Sequence, residues 1–301
     1  MGQTFRDYHW ATAYCFYFPS PLAAAALLGV SAALCATRKA RSAIAAGVLA
    51  LAPLSFVVAV ENQWLPPHAP DQRGSLRLVH WNVGWGIAGW ERIARALEAR
   101  HADLYVISEV PGKRGYQEIK QIAARFGADY SVLNLSSLAV VAKGHLGLSK
   151  CFSEKKPEIF AVNWYPGGER AIRLLVVDVP SAILTERAPI LSWVRDCIRD
   201  DQPDLVVGDF NAPRRSRAID ELPAGYRHAY AEAGAGWSYT WPASIPLLAI
   251  DQCIVGRAIA AHRYRLRSTG LSDHRMQQLD FTLVHSEDES RRMSGSTKDW
   301  R

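Results

Sequence analysis

The sequence predicts an α/β fold in which two mixed β-sheets pack face to face with helices outside, preceded by two transmembrane helices. Three observations carry this reading. Two long uncharged apolar runs occupy most of the chain before Glu61. After them, β-branched runs alternate with stretches of helical spacing, then strands, then a helix and further strands, an order that suits packed sheets with helices outside. Each side chain with chemical potential stands at or near the end of an apolar strand, as a pocket shared by strand ends requires.

The first run, about 11–36, is rich in Ala, Leu, Val, Phe and Tyr, and Pro19 and Pro21 delay or kink its start. Arg38, Lys39 and Arg41 interrupt the pattern, and a second run, about 42–60, follows. Two stretches of this length, with few basic residues ahead of the first, argue against a cleaved signal peptide. The basic loop is expected on the cytoplasmic side, because Arg6 at the amino-terminal flank is offset by Asp7. The chain is then expected to be a multi-pass protein of the cell membrane with its folded domain on the extracytoplasmic side. Residues 1–62 form the anchor and 63–75 a proline-bearing linker. A folded domain is expected over 76–285, and a polar tail over 286–301 reads as disordered.

Within the domain, Leu76 to Asn82 reads as a strand ending in an amide, with Gly84, Gly86 and Gly89 allowing a tight turn. Trp90, Ile93, Ala94 and Leu97 recur at helical spacing. A buried strand over Asp103–Val110 carries one carboxylate, Glu109, near its end. A helix over Tyr116–Phe126 follows, with strands near 129–133, 138–142, 158–164 and 171–179. Pro189 to Ile198 is helical and leads into Val206-Val207-Gly208-Asp209-Phe210-Asn211. There the strand alternation would send Asp209 and Asn211 to one side. Ala249 to Val255 is a strand with one acid, Asp251, and Ser272-Asp273-His274 precedes a last strand over Gln278–Val284.

At 301 residues and 49% hydrophobic, the chain can bury one full domain with residues to spare. The net charge of +6 suits a polyanionic substrate or an anionic membrane surface and demands neither, since part of it flanks the apolar runs. Five scattered cysteines, Cys15, Cys35, Cys151, Cys197 and Cys253, show no CxxC or metal-finger spacing.

Taken in order, Asn82, Ser108-Glu109, Gly208-Asp209-Phe210-Asn211, Thr240-Trp241-Pro242 with Ile250-Asp251, and Ser272-Asp273-His274 resemble the endonuclease/exonuclease/phosphatase superfamily of DNase I-like phosphoesterases. The resemblance covers roughly Leu76 to His285. It implies a four-layer α/β sandwich and a divalent cation, Mg²⁺ or Mn²⁺. Carried over, Glu109 is the principal metal ligand, assisted by Asn82, with Asp273 beside the metal. Asp209 orients or deprotonates the attacking water, and Asn211 holds the phosphate. His274 contacts the scissile phosphate and is oriented by Asp251. Such a site makes chemical sense: a phosphodiester repels nucleophiles, so a cation and a donor must neutralise the developing charge.

One position departs from the family pattern. Where members commonly carry a His or Tyr before a proline, this chain has Val176-Val177-Asp178-Val179-Pro180, placing Asp178 where a carboxylate would repel phosphate. The Asp-x-His and Gly-Asn-His motifs of calcineurin-like phosphoesterases do not occur. Arg214, Arg215 and Arg217, with His262, Arg263, Arg265 and Arg267, could follow a nucleic-acid backbone. Trp85, Trp90, Trp237 and Trp241 are candidate stacking surfaces. The expected activity is a membrane-anchored, metal-dependent phosphodiesterase of nuclease type acting on DNA or RNA. The alternatives are a phospholipid or sphingomyelin phosphodiesterase or phosphatase, or a catalytically silent binding domain. Its partners are then the phosphodiester substrate and the lipid bilayer, and nothing in the sequence calls for a protein partner.

Overall fold

The computed structural model describes residues 6–7, 13, 16, 20–36, 40–65, 74–168, 170–182 and 185–284. Arg38, Lys39, most of the expected linker and the expected tail lie outside the described residues.

Two apolar helices, α1 (Ser20–Ala36) and α2 (Ala40–Phe56), pack side by side as a hairpin, and α2 continues through a wide turn, Val57–Glu61. The stretch Ala40–Glu61 is long and apolar enough to cross a membrane. The described part of α1, 17 residues, is shorter than the roughly 20 that a span needs, so among the described residues one of the two expected transmembrane helices has the length for it. Little of the hairpin's apolar surface is covered: Leu27, Leu34 and Ile44 are each about two-thirds exposed or more, at 69%, 73% and 67%.

Among the described residues the domain has twelve strands. The first sheet is built from β1 (Leu76–Asn82), β2 (Leu104–Ser108), β3 (Tyr130–Leu135), β4 (Leu138–Lys143), β11 (Ile259–Arg267) and β12 (Met276–Leu283), in the spatial order β11-β12-β1-β2-β4-β3. The second holds β5 (His145–Ser153), β6 (Glu158–Tyr165), β7 (Ile172–Asp178), β8 (Leu205–Asp209), β9 (Arg227–His228) and β10 (Asp251–Val255), in the order β5-β6-β7-β8-β10-β9. Both sheets are mixed: β1 and β2 are parallel, as are β7 and β8, and the other pairs are antiparallel. Parallel neighbours such as these are joined by a crossover, which here runs through a helix on the outer face. Helices α3 (Trp90–Glu98) and α4 (Gly112–Phe126) cover the first sheet, and α5 (Arg187–Asp201) covers the second.

The period of two along each strand sorts side chains between two environments. Leu78, Leu104, Val106, Leu174, Val176, Leu205, Val207, Cys253 and Val255 fill the core between the sheets. The alternate residues Val79, Trp81, Tyr105 and Ile107 pack beneath α3 and α4, and Leu175, Val177, Val206 and Ile254 beneath α5. Continuing the inward rows by one step on each strand leads to His80 and Asn82, Ser108, Asp178, Asp209 and Asp251. The apolar inter-sheet core therefore ends in a polar layer.

Three strands escape the sequence reading: the two-residue β9, too short to carry a pattern, and the longer β5 and β11. β5 and β11 are sheet edges, and charges such as Lys150, Arg263, Arg265 and Arg267 replace the apolar alternation by which strands are recognised. Asn211 also departs from expectation. The strand stops at Asp209, and Asn211 takes a left-handed backbone (φ 46°), so the two side chains do not share a continued strand face.

Candidate active site

In the second sheet, register alone aligns four carboxylates. Glu158 opposes Asp178, Asp178 opposes Asp209, and Asp209 opposes Asp251. In the first sheet Asn82 stands beside Ser108. Gly208 explains how β7 and β8 come so close here, since a Cβ at that position would lie 1.8 Å from the Val177 carbonyl oxygen.

Asp209 and Asp251 are buried, and His274 nearly so. His274 Nδ1 donates to Asp251 at 2.9 Å, and its Nε2 lies 3.9 Å from Asp209 Oδ2. The Asn82 amide donates to Asp209 Oδ2 at 3.0 Å, and the Asn211 backbone N–H donates to Oδ1 at 2.9 Å. Ser272 ties the His274 loop to β1: its hydroxyl donates to the Asn82 carbonyl (2.7 Å) and accepts from the His274 N–H (3.0 Å). Thr240 Oγ1 accepts from the Asp251 N–H at 3.2 Å. The imidazole is thus fixed as an Nδ1–H donor to a carboxylate, with Nε2 left toward Asp209.

The charges follow from burial and neighbours. Burial would strip His274 of its proton, but Asp251 and Asp209 hold it at about 10, so the ring is an imidazolium at neutral pH. Burial likewise raises Asp251, and the adjacent imidazolium outweighs this and leaves it below the usual range. Asp209 is raised to about 8 by burial and by Asp251 beside it. Burial also raises Glu109, against the hydrogen bond from Asn82.

Each expected site residue can now be placed. Asn82, Asp209, Asp251 and His274 form one hydrogen-bonded cluster. Glu109 borders it, half-buried at the end of β2 with a left-handed backbone (φ 58°), a conformation that an L-residue holds only when its surroundings require it. Exposed Asp273 accepts from the Trp241 indole at 2.9 Å, which ties these two residues to each other at the rim. Asn211 turns its amide to the Val179 carbonyl (2.8 Å) and reaches Asp209 through its backbone. Arg214 is not gathered into the cluster: it lies over the Tyr230 ring and lines a separate cavity.

Asp178 is neutralised rather than bare. Lys156 Nζ donates to it at 2.6 Å, and the Ser137 hydroxyl lies 3.2 Å away while also donating to Glu158. Lys156, Ser137 and Glu158 were not legible as site residues, because Lys156 sits in a polar connection between β5 and β6 with no motif around it. Nor was His80, a wholly buried ring that contacts Ser108 at 3.0 Å and lies 4.0 Å from Asp251. Its inward position on β1, two residues before Asn82, was the available signal.

A divalent cation fits this donor set. Among the described residues, Asp209, Asp251 and His274 each bring one N or O atom within 4.8 Å of the others, but the His274 imidazolium donates rather than ligates, so an ion would rest on the oxygens around it. Both Asp251 oxygens lie within reach of His274, and Asp209 is held by Asn82 and Asn211. Glu109 and the Asn82 side-chain oxygen, which accepts from the Gly84 N–H at 3.0 Å, offer hard oxygen donors of the kind Mg²⁺ and Mn²⁺ prefer. Among the described residues, Lys156 and His274 are the cations that favour ionised Glu109, Asp178, Asp209 and Asp251, and since burial still raises Glu109, Asp178 and Asp209, a divalent ion would help to ionise them.

Comparison with known proteins agrees with this geometry. The family described as the Endonuclease/Exonuclease/phosphatase family matches residues 79–274. No curated protein matches the chain. Truncated Caenorhabditis elegans TDP2 shares 16% identity at a TM-score of 0.57, covering 70% of this chain and 98% of its own. D. rerio TDP2 complexed with single strand DNA product shares 17% at 0.55, covering 69% and 99%. Bacteroides thetaiotaomicron mannosyl-6-phosphatase Bt3783 shares 12% at 0.52, covering 69% and 100%. At such identities the likeness is one of fold. The family match runs from β1 to the histidine of the polar cluster, over well more than half of the chain, and the chain belongs to the endonuclease/exonuclease/phosphatase family.

Proposed function

We propose that the chain is a divalent-metal-dependent phosphodiesterase of nuclease type, held at a membrane by its amino-terminal helices. The observation that carries the chemistry is the juxtaposition of Asp209 with an imidazolium, His274, whose other nitrogen is fixed by Asp251. In this reading Asp209, whose raised pKa a bound cation would bring back toward the carboxylate form, accepts the proton of the attacking water, while His274 Nε2–H hydrogen-bonds a non-bridging phosphoryl oxygen as charge builds on it. Asn82 keeps the Asp209 carboxylate in place. Mg²⁺ or Mn²⁺ held by Glu109 and Asn82, with Asp273 at the rim, would supply charge neutralisation at the phosphoryl and leaving oxygens. The Lys156–Asp178 ion pair removes the repulsion that a bare carboxylate would exert, which weighs against the silent-domain alternative. The described single-strand DNA product in a similar structure supports a nucleic-acid substrate.

Membrane attachment is supported by the uncovered apolar hairpin and the length of Ala40–Glu61. The basic residues Arg38, Lys39 and Arg41 favour a cytoplasmic loop and an extracytoplasmic catalytic domain. A reporter fused after Arg301 should be active only outside the cytoplasm. A phospholipid substrate is the second reading, favoured by contact between the hairpin base and the segment that carries Trp241: Val57 packs on Tyr239 and Ala249.

The test is hydrolysis of DNA, RNA and phospholipid liposomes by the full chain with Mg²⁺ or Mn²⁺. Activity should vanish in EDTA and fall by roughly 10²- to 10⁴-fold in Asp209→Asn and His274→Ala. Cleavage that persists in chelator would refute metal dependence, and headgroup release without DNA cleavage would select the lipid reading.

A further inference from the structure

Where α2 ends, a cavity of about 680 Å³ opens between the hairpin base and the domain. None of the catalytic cluster lines it. Phe16, Leu22, Val58 and Val60 give it an apolar wall continuous with the uncovered hairpin, and two arginines stand on the domain side. Arg214 lies 4.3 Å above the Tyr230 ring and makes one long hydrogen bond, 3.4 Å, to the Ser238 carbonyl. Arg215 lies 4.9 Å from the Phe56 ring, and among the described residues its buried Nη1 has no hydrogen-bond partner.

Two carboxylates share the cavity. Glu61 faces both arginines but accepts from the Tyr239 hydroxyl, and Asp220 is paired with Arg6. Among the described residues that line the cavity, Glu61 is then the one carboxylate left against Arg214 and Arg215, so one positive charge is unmatched. Burial lowers Arg214 below its ordinary value, and Glu61 offsets part of that.

We propose that this cavity binds the headgroup of an anionic phospholipid, with the two guanidiniums on its phosphate and its acyl chains along the hairpin. The site is separate from the catalytic pocket and rests on the membrane reading above. Its volume is that of a ligand site rather than of a lone ion. It lies where the apolar run gives way to polar chain, at headgroup depth for a spanning α2. Trp64, half-exposed beside Trp237 with ring centroids 6.5 Å apart, marks the same level as an interfacial aromatic pair.

The experiment uses the full chain in detergent and in vesicles. Flotation with phosphatidylcholine vesicles tests the anchor alone, and native mass spectrometry with phosphatidylglycerol against phosphatidylcholine tests the cavity. Wild type should retain phosphatidylglycerol preferentially, and Arg214→Gln/Arg215→Gln should lose that preference by on the order of tenfold. Should the double variant fail to fold, the single variant Arg215→Gln decides, and an unchanged preference overturns the site. Equal retention of the two lipids by wild type, or displacement by millimolar inorganic phosphate, also overturns it. Flotation without lipid preference sinks the cavity alone, whereas no flotation sinks the anchor and the cavity with it.

Discussion

At the scale of single residues, the site is a set of buried charges that tolerate no missing partner. Lys156 is about one-third exposed, while Asp178 beneath it is buried. Lys156→Ala would leave that carboxylate uncompensated and should destabilise the fold by about 2 kcal/mol, less than a fully buried pair would lose. Adding Asp178→Asn should recover most of the thermal midpoint, and a double variant no more stable than the single one would show that the pair is not coupled. His80 makes a prediction about pH. Burial lowers its pKa from 6.5 to about 4, against the attraction of Asp251. The unfolded ring takes a proton from about pH 6.5 downward and the folded ring only below about 4, so its contribution is full above 6.5 and is lost as pH falls toward 4. The loss should approach about 3 kcal/mol. Ring NMR resonances should remain those of neutral imidazole at about pH 5, and a titration near 6.5 would contradict the buried environment.

Elements bring these residues together by register. β7 and β8 meet at Val177 and Gly208 so closely that the glycine has no room for a side chain, and the next pair in register is Asp178 with Asp209. Gly208→Ala should push the strands apart and destabilise the domain by about 3 kcal/mol or more, with hydrolysis falling alongside because Asp209 moves with its strand. Circular dichroism melts and turnover on one preparation would check both. Wild-type stability in this variant would show that the strands can part at no cost. The edge strands β5 and β11 are specified differently: their charges discourage pairing with another chain, and the neighbouring strand fixes their register.

At the scale of the whole molecule, the hairpin and the domain are joined by more than a chain. Val57 is fully buried against Tyr239 and Ala249, the Asn62 side chain accepts from the Ser238 N–H at 2.7 Å, and Gln63 bridges to Gly236. These contacts hold the segment just before Thr240, the residue that positions the Asp251 backbone. A fragment beginning at Gln72 lacks them and should be less stable by about 3 kcal/mol than one beginning at Phe56. Equal thermal midpoints would mean that the junction contributes nothing to the domain.

The sequence by itself determined most strands and helices of the sandwich, because their apolar periods are strong, and the polar strand ends, because Asn82, Glu109, Asp209, Asp251 and His274 each follow an apolar run or sit in a short motif. The inward alternation continued by Asn82, Asp178, Asp209 and Asp251 was there to be read along single strands. Tertiary structure alone decided which of these residues meet. It brought Lys156 to Asp178 and Ser137 to Glu158 through connections that carry no periodic signal, since a loop's path is set by the surfaces it crosses. It turned Asn211 out of the strand through a left-handed backbone, and it withdrew Arg214 from the active site to stack on Tyr230. Such outcomes depend on contacts between residues far apart in the chain, and no local pattern records them.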